Sequence, residues 1–184
     1  MKFFKVFISF LLCAVILTSC STVDNSAYFR EKISENIVET SEDMFYIPII
    51  FRSIENSENV KVSVMPDTVS FFLADPVEAK SHITYQNVNV HIRTHSEKVE
   101  NSVRALTDSF GEDDKVRIIK TEFKDKPYAV TYDIREDLDI IMINVIYPIS
   151  DYVSAFFTAQ INGIIKIDEN SVKKICNDLQ MVKI

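Results

Sequence analysis

The chain has 184 residues and a formal net charge of −7, from 20 basic and 27 acidic side chains. An acidic chain without a basic cluster argues against nucleic-acid binding and against electrostatic docking on anionic lipid. The length suits one domain of ordinary size.

The first residues have the layout of a secretory signal peptide. Lys2 and Lys5 form a short basic start, and the run Val6–Leu17 that follows is apolar except for Ser9. This run of 12 residues covers only about 18 Å as a helix, whereas a retained transmembrane helix needs about 20 apolar residues. We therefore interpret it as the apolar region of a signal peptide.

The segment Leu17-Thr18-Ser19-Cys20 ends this run on cysteine, and it resembles the lipobox of bacterial lipoproteins. The resemblance implies cleavage between Ser19 and Cys20, a diacylglyceryl thioether on Cys20, and acylation of the new amino group. Several acyl chains make a firm anchor. We expect a signal peptide over residues 1–19, a lipidated tether over residues 20–27 and a domain over residues 28–184. A plain secretory signal that is cut elsewhere is the alternative.

Ser21 follows the cysteine, at the position where proteobacterial lipoproteins retained in the inner membrane carry aspartate. By that resemblance, the protein is expected in the outer membrane on its periplasmic side. If the source has one membrane, it is expected on the outer face of that membrane. Loss of Lys2 and Lys5 with the signal changes the net charge from −7 to −9. We therefore expect membrane contact through the lipid on Cys20 and not through the protein surface.

The first half of the domain combines one helix with several short strands. Apolar residues recur at helical spacing from Ala27 to about Thr40, and Asn25 or Ser26 is expected to cap the start of this helix. Three segments of strand character with turn residues between them then predict a meander. These segments are Met44–Ile54, where Pro48 indicates an edge strand or a bulge, Val60–Val64 and Val69–Leu73.

The clearest strand, Ile83–Arg93, leads directly into the clearest helix, His95–Phe110. The strand alternates apolar and polar residues, as in an antiparallel sheet with one exposed face. The helix has a capping box at Thr94 and Glu97, an apolar stripe, and Gly111 where a C-cap glycine is expected. The strand residues expected to face the core are Val88, Val90 and Ile92.

The second half of the domain is predicted to contain four strands and a final helix. The segment Leu138–Tyr147 is apolar on both faces, which predicts a central strand covered on both sides. The last strand also fits helical spacing, but Asn162-Gly163 is a hairpin signal and favours a strand. Asp168 is expected to cap a helix with Cys176 on its apolar side. The four strands are Val116–Phe123, Tyr128–Arg135, Leu138–Tyr147 and Tyr152–Ile161.

Together these elements predict an α+β fold, with a curved, mostly antiparallel sheet packed against two or three helices in a single domain. The order from Ile83 to Ile184 is a strand, a helix, a meander turning at Lys124-Asp125-Lys126-Pro127 and a terminal helix ending Leu179-Gln180-Met181-Val182-Lys183-Ile184. This order resembles the PsbP-like fold shared by several lipoproteins and a Ran-binding import factor. That family often has glycine in the meander turn, which is absent from this one. The resemblance implies a scaffolding or partner-binding role and assigns no role to any residue.

Motifs for catalysis, cofactors or metals are missing from the sequence, including a nucleophile elbow, a zinc-protease motif and a phosphate loop. Cys176 is the cysteine left after signal removal and lipidation, and we interpret it as a buried apolar residue instead of a catalytic thiol. His82, His91 and His95 are expected to be solvated, because no third metal ligand converges with them.

Two carboxylate clusters were considered as calcium loops and are interpreted as polar turns, because neither alternates oxygen ligands around a glycine. These are Asp113-Asp114 and Glu136-Asp137-Asp139. Asp133 and Asp139 have the chemistry for acid–base work, but nothing in their setting distinguishes them.

We therefore expect a non-enzymatic binding or assembly module, anchored in the cell envelope through Cys20, with an envelope protein as its partner, no nucleic acid and no cofactor. The alternative is a carrier of a small apolar ligand, held between sheet and helices. An envelope hydrolase ranks third, since its catalytic residues would have to be assembled in three dimensions. A deep apolar cavity would favour the carrier, and a filled core with a rimmed apolar patch on the surface would favour the module. The aromatic residues that would line the carrier pocket, although such residues are more often core, are Phe71, Phe72, Tyr85, Phe156 and Phe157.

Overall fold

A computed structural model describes residues 23–35, 44–101, 116–123, 126–135, 140–162 and 167–184. Two helices have full bounds there, α1 (Ser26–Ser34) and α2 (Glu169–Asp178), and residues 99–101 are also helical. The strands are β1 (Tyr46–Pro48), β2 (Lys61–Met65), β3 (Thr68–Leu73), β4 (Val77–Glu78), β5 (Thr84–Thr94), β6 (Val116–Phe123), β7 (Lys126–Arg135), β8 (Ile140–Pro148), β9 (Val153–Asn162) and β10 (Met181–Lys183).

All strand pairs are antiparallel, and the main sheet has the order β2-β3-β5-β9-β8-β7-β6, with β4 pairing alongside β5. A separate two-stranded sheet joins β1 to β10. Because the strands are antiparallel and combine with helices, the predicted α+β fold is confirmed.

One face of the main sheet forms the core together with both helices. The register places apolar residues opposite one another from strand to strand, and period-two alternation keeps them on the same side. Phe29 and Ile33 of α1 and Val172 and Ile175 of α2 are buried in the same cluster. One buried row across the sheet consists of Phe71, Val90, Phe157 and Val145.

The strand predictions for β5 and β9 are confirmed. Val88, Val90 and Ile92 of β5 are buried as expected. In β9, which could also have been a helix, the buried alternate residues are Val153, Ala155, Phe157, Ala159 and Ile161. Alternation therefore identified the core face in both strands.

A β-bulge in β5 was not predicted. The register with β9 shifts between Gln86 and Asn89, and Asn87 has a φ of 50°. Asparagine tolerates this left-handed conformation better than most residues. Tyr85 and Val88 are three residues apart, so regular alternation would place them on opposite faces, yet both are buried in the core. The bulge therefore turns Tyr85 inward.

Three sequence predictions are wrong in detail. Met44–Ile54 does not begin a three-stranded meander, because β1 ends at Pro48, a 3-10 turn follows over Ile49–Phe51, and β1 pairs with β10. The terminal helix ends at Asp178, and the last residues form β10 instead of continuing the helix. Leu138–Tyr147 is central but not buried on both sides, because one face of β8 is buried while Ile140, Met142 and Ile146 on the other face are half-buried.

Other predictions are confirmed in part or lie outside the described residues. Asp168 caps α2 as expected, since its carboxylate accepts a hydrogen bond from the Ser171 backbone N–H at 2.9 Å. The predicted first helix is seen over Ser26–Ser34, and residues 36–43 are not described. The predicted helix His95–Phe110 does not begin at His95, because residues 95–98 are not helical and the described helical residues are 99–101; residues 102–110 are not described.

The neighbouring residues Phe71 and Phe72 test which face of the main sheet packs in the core. Phe71 is 1% exposed and makes edge contacts with Phe29 and Phe51, with ring centroids 6.0 and 6.3 Å away. Phe71→Ala is expected to cost about 3–5 kcal/mol of unfolding free energy, because it leaves a cavity in the core. Phe72→Ala, on the half-buried face, should cost on the order of 1 kcal/mol. Urea unfolding followed by circular dichroism measures both, and equal losses would contradict the assignment.

Candidate functional site

Residues Asp24, Asn25 and Ser26 form an N-terminal latch that fastens the start of the described chain to the domain. Asn25 is 7% exposed, and its side-chain amide donates hydrogen bonds to the carbonyl oxygens of Phe51, at 3.3 Å, and Ile54, at 2.8 Å. The Asn25 backbone N–H also donates to the Arg52 carbonyl at 2.8 Å. A buried amide with these bonds holds its backbone in place, because breaking them would leave buried polar groups unsatisfied.

The second part of the latch is an exposed ion pair. The Asp24 Oδ2 atom accepts hydrogen bonds from the Arg52 guanidinium, at 2.7 Å from Nη2 and 3.0 Å from Nε. Its other carboxylate oxygen, Oδ1, accepts a bond from the Ser26 backbone N–H at 3.0 Å. The hydrogen bonds from Arg52 and then Ser26 lower the pKa of Asp24 below its ordinary 3.8. The ion pair therefore contributes above about pH 4 and is lost as the pH falls further.

This arrangement corrects two sequence predictions. Asn25 precedes α1 but makes no side-chain capping bond, because its amide is used on the segment after β1. The polar tether was predicted to extend over residues 20–27, whereas Asp24 and Asn25 are hydrogen-bonded to the domain and Ser26 begins α1. Asn25 and Ser26 carry the sequence signal of a helix start, but nothing in the sequence indicates the hydrogen bonds of Asn25 to the Phe51 and Ile54 carbonyls.

A cleft lies next to the latch and shares Ile54 with it. We call it the latch-side cleft, and it has a volume of about 400 Å3. Its walls come from two stretches of chain, the segment after β1 and the connection from β3 to β4. The aliphatic lining residues are Ile50, Ile54, Leu73, Pro76 and Val77. The polar and charged lining residues are Ser53, Glu55, Asn56, Asn59, Asp75 and Glu78.

The charges on this cleft have one sign. Among the described residues that line it, the charged ones are Glu55, Asp75 and Glu78, all are exposed, and none is a lysine or an arginine. Asp75 accepts a hydrogen bond from the Asn59 side-chain amide at 2.6 Å, and Glu78 lies 2.9 Å from His82 Nδ1. Glu55 makes no ion pair within the part of the chain that is described. The cleft therefore combines an apolar floor with an anionic rim.

A buried polar cluster ties α2 to the sheet. Asp178 is 6% exposed and accepts hydrogen bonds from the Tyr85 hydroxyl, at 2.9 Å, and from the Ser81 hydroxyl. Burial, and then the charge of Asp178, raises the pKa of Tyr85 well above its usual range, so the phenol stays protonated and donates. Asp178 is the last residue of α2, where the helix dipole disfavours a negative charge. Two hydroxyl donors offset that cost, which makes the cluster a structural connection.

Cys176 lies beside this cluster and is 2% exposed, so the prediction of a buried cysteine is confirmed. Burial raises the pKa of its thiol to about 12. The reactive form of cysteine is the thiolate, and a buried thiol with so high a pKa is chemically inert at neutral pH.

The histidines divide into two groups. His82 and His91 are exposed, as predicted, and each is bonded to one neighbour, Glu78 and Ser70 respectively. The prediction for His95 is wrong, because it is half-buried and its Nε2 lies 2.7 Å from the Ser154 hydroxyl oxygen.

The His95–Ser154 pair has the distance of a base and a nucleophile, so its access decides what it can do. Desolvation, and then Arg93, lowers the pKa of His95. Ser154 is only 5% exposed, and the polar cavity of about 470 Å3 beside His95 is not lined by it. A substrate carbonyl would not reach the hydroxyl, so this geometry favours a structural bond between the end of β5 and the start of β9.

Most of the carboxylates that are candidates for acid–base or calcium chemistry lie outside the described residues. Asp113-Asp114 and Glu136-Asp137-Asp139 lie outside the described residues, and Asp133 lies on β7 opposite Met142 of β8. Among the residues that are described, no group of three histidine, cysteine or acidic side chains is placed to hold a metal ion.

The five aromatic residues expected to line a carrier pocket do not line one pocket. Phe71, Tyr85 and Phe157 are at most 1% exposed and fill the core. Phe72 and Phe156 are half-buried and alternate with them, so they lie on the opposite face of the sheet. The carrier hypothesis therefore loses its predicted lining.

No protein-family model, no curated protein and no solved structure was found to match this chain. Within the described residues, neither helix is long and apolar enough to cross a membrane.

Asn25→Ala tests the latch. The substitution leaves the Phe51 and Ile54 carbonyls without their side-chain donor, so we expect a loss of about 1–3 kcal/mol in unfolding free energy. Asn101→Ala, at an exposed position, is the matched control and should change stability by less than about 0.5 kcal/mol. Chemical denaturation measures both. Equal stability of the two variants would show that the amide does not hold the segment.

Cys176 gives a second prediction. A thiol reagent such as iodoacetamide at pH 8 should label it in urea and leave it unlabelled in the folded protein. Cys176→Ser should cost about 1–3 kcal/mol, because it buries a hydroxyl in an apolar site. Rapid labelling of the folded protein would contradict the burial.

Proposed function

We propose that the protein is a lipid-anchored lipoprotein of the cell envelope that acts as a non-enzymatic binding or assembly module. The observation that carries this proposal is the position of the latch. Asp24 is already fastened to the domain, four positions after the cysteine of the lipobox-like segment. A lipid on Cys20 would therefore hold the folded domain close to the bilayer.

The reach of the remaining tether follows from backbone geometry. Four residues of extended chain span at most about 14 Å. The domain would then stay within roughly its own radius of the headgroups and present the latch end toward them. Such a short connection supports a protein that works at the membrane surface, either in the outer membrane on its periplasmic side or on the outer face of a single membrane.

Two further observations support binding over catalysis. The core is filled by its aromatic side chains, with Phe29, Phe51 and Phe71 in mutual ring contact. Of the two serine–histidine pairs within hydrogen-bonding distance among the described residues, Ser154–His95 has its hydroxyl closed off from solvent, and Ser70–His91 lies on the side of β3 and β5 away from the core. An open cleft on the surface offers a contact for an envelope protein partner instead.

Cys20→Ala tests the anchor. We expect the variant to accumulate as an unprocessed precursor without lipid and to lose detergent-phase partitioning, because the acylated sulfur is absent. Cys13→Ala is the matched control, since it removes a cysteine from the signal and leaves Leu17-Thr18-Ser19-Cys20 intact. Normal processing and partitioning of Cys20→Ala would refute the lipoprotein proposal.

The binding role is tested by cross-linking in the native envelope followed by mass spectrometry of the captured complexes. A module that works at the membrane should yield a reproducible protein partner, in lower amount from Cys20→Ala at equal expression, because the local concentration falls without the anchor. Capture of lipid or a small molecule in place of a protein would favour a carrier.

A further inference from the structure

The latch-side cleft is open, is lined by both aliphatic and polar side chains, and has carboxylates at its rim. These properties restrict which ligands fit it. Its volume of about 400 Å3 is at the lower end of the range of ligand pockets. It therefore has room for a few side chains and not for a large ligand.

The charge distribution selects the class of occupant. Glu55, Asp75 and Glu78 surround aliphatic walls, and the described lining residues include no lysine or arginine to neutralise them. Anionic lipid headgroups would be repelled by this rim, whereas a lysine or arginine would be attracted while its methylene stem packs on Ile50 or Ile54. Charge complementarity thus favours a cationic protein segment over the membrane surface.

We propose that the latch-side cleft binds a basic segment of an envelope protein partner. A lysine or arginine of this segment would lie at the acidic rim, and a neighbouring aliphatic side chain would pack between Ile54 and Val77. This proposal rests on the proposed function, because the partner is the one that the anchored module would hold. The latch positions the cleft, since the Asn25 amide is bonded to the carbonyl of Ile54, which lines it.

The test uses the full lipidated protein in zwitterionic detergent and three labelled peptides of equal length. The first alternates lysine and leucine, the second replaces lysine by glutamate, and the third replaces leucine by serine. Fluorescence anisotropy is expected to show tightest binding for the lysine–leucine peptide. Equal binding of the glutamate peptide would overturn the role of charge, and equal binding of the serine peptide would overturn the role of the apolar floor.

Two variants with matched controls locate the site. Ser53→Trp fills the cleft from an exposed position without removing a core side chain, and it should weaken binding by about tenfold or more, corresponding to loss of roughly 1.4 kcal/mol. Ser34→Trp, on α1, is its control. Glu55→Gln should weaken binding roughly twofold to fivefold, as for one exposed charge pair, and Glu31→Gln should not. Equal affinity of Ser53→Trp and Ser34→Trp would overturn the proposal.

The outcomes separate this inference from the proposed function. If the wild-type chain is never lipidated but still binds the lysine–leucine peptide, the anchor fails and the cleft stands. If the chain is anchored but Ser53→Trp binds normally, the cleft fails and the anchor stands. If spermidine displaced the peptide at equal affinity, the proposal of a protein segment would be overturned in favour of a small cation.

Discussion

The pairing of β5 with β9 is the constraint on which the rest of the structure depends. These strands are separated in sequence by residues 95–152, yet their pairing joins the two halves of the main sheet, β2-β3 on one side and β8-β7-β6 on the other. Burial of the facing Val90 and Phe157 supplies the driving force, because each removes a large apolar side chain from water. The order of the sheet could not form if this long-range pair did not.

A bulge in the same strand connects the sheet to the end of the chain. The bulge turns Tyr85 inward, where its hydroxyl donates a hydrogen bond to Asp178 at the end of α2. After α2, the chain continues directly into β10. β10 pairs with β1, and the Ile49 N–H donates to the Gln180 carbonyl at 2.8 Å. The segment to which the N-terminal latch is bonded is therefore also held in place through the pairing of β1 with β10. If the chain is anchored as proposed, force on the anchor would be transmitted to this packed segment and not to a free loop.

The long elements were predictable from sequence, and the short ones were not. β5, β9 and α2 extend over enough residues for a period of two, or a cap and an apolar stripe, to show which face is buried. β10 has three residues, too few to show any period, so Met181–Lys183 was predicted to be helical. The latch was missed because Asn25 is polar and buried, and its partners are backbone carbonyls that carry no sequence signal. Tyr85 and Asp178 are likewise brought together only by the bulge and the long-range packing.

The acidic cleft and the short tether have a combined physical consequence at a membrane. At physiological salt, the field of an anionic surface decays over about 8 Å, while the proposed tether of four residues reaches about 14 Å. Repulsion between Glu55, Asp75 and Glu78 and the headgroups would therefore be strongest when the cleft lies flat on the bilayer and weak once the domain stands off it. Under the proposed anchoring, the lipid would keep the domain near the membrane, and the carboxylates would keep the cleft from being covered by it. A domain anchored in this way would leave the cleft free for a cationic segment that approaches along the membrane surface.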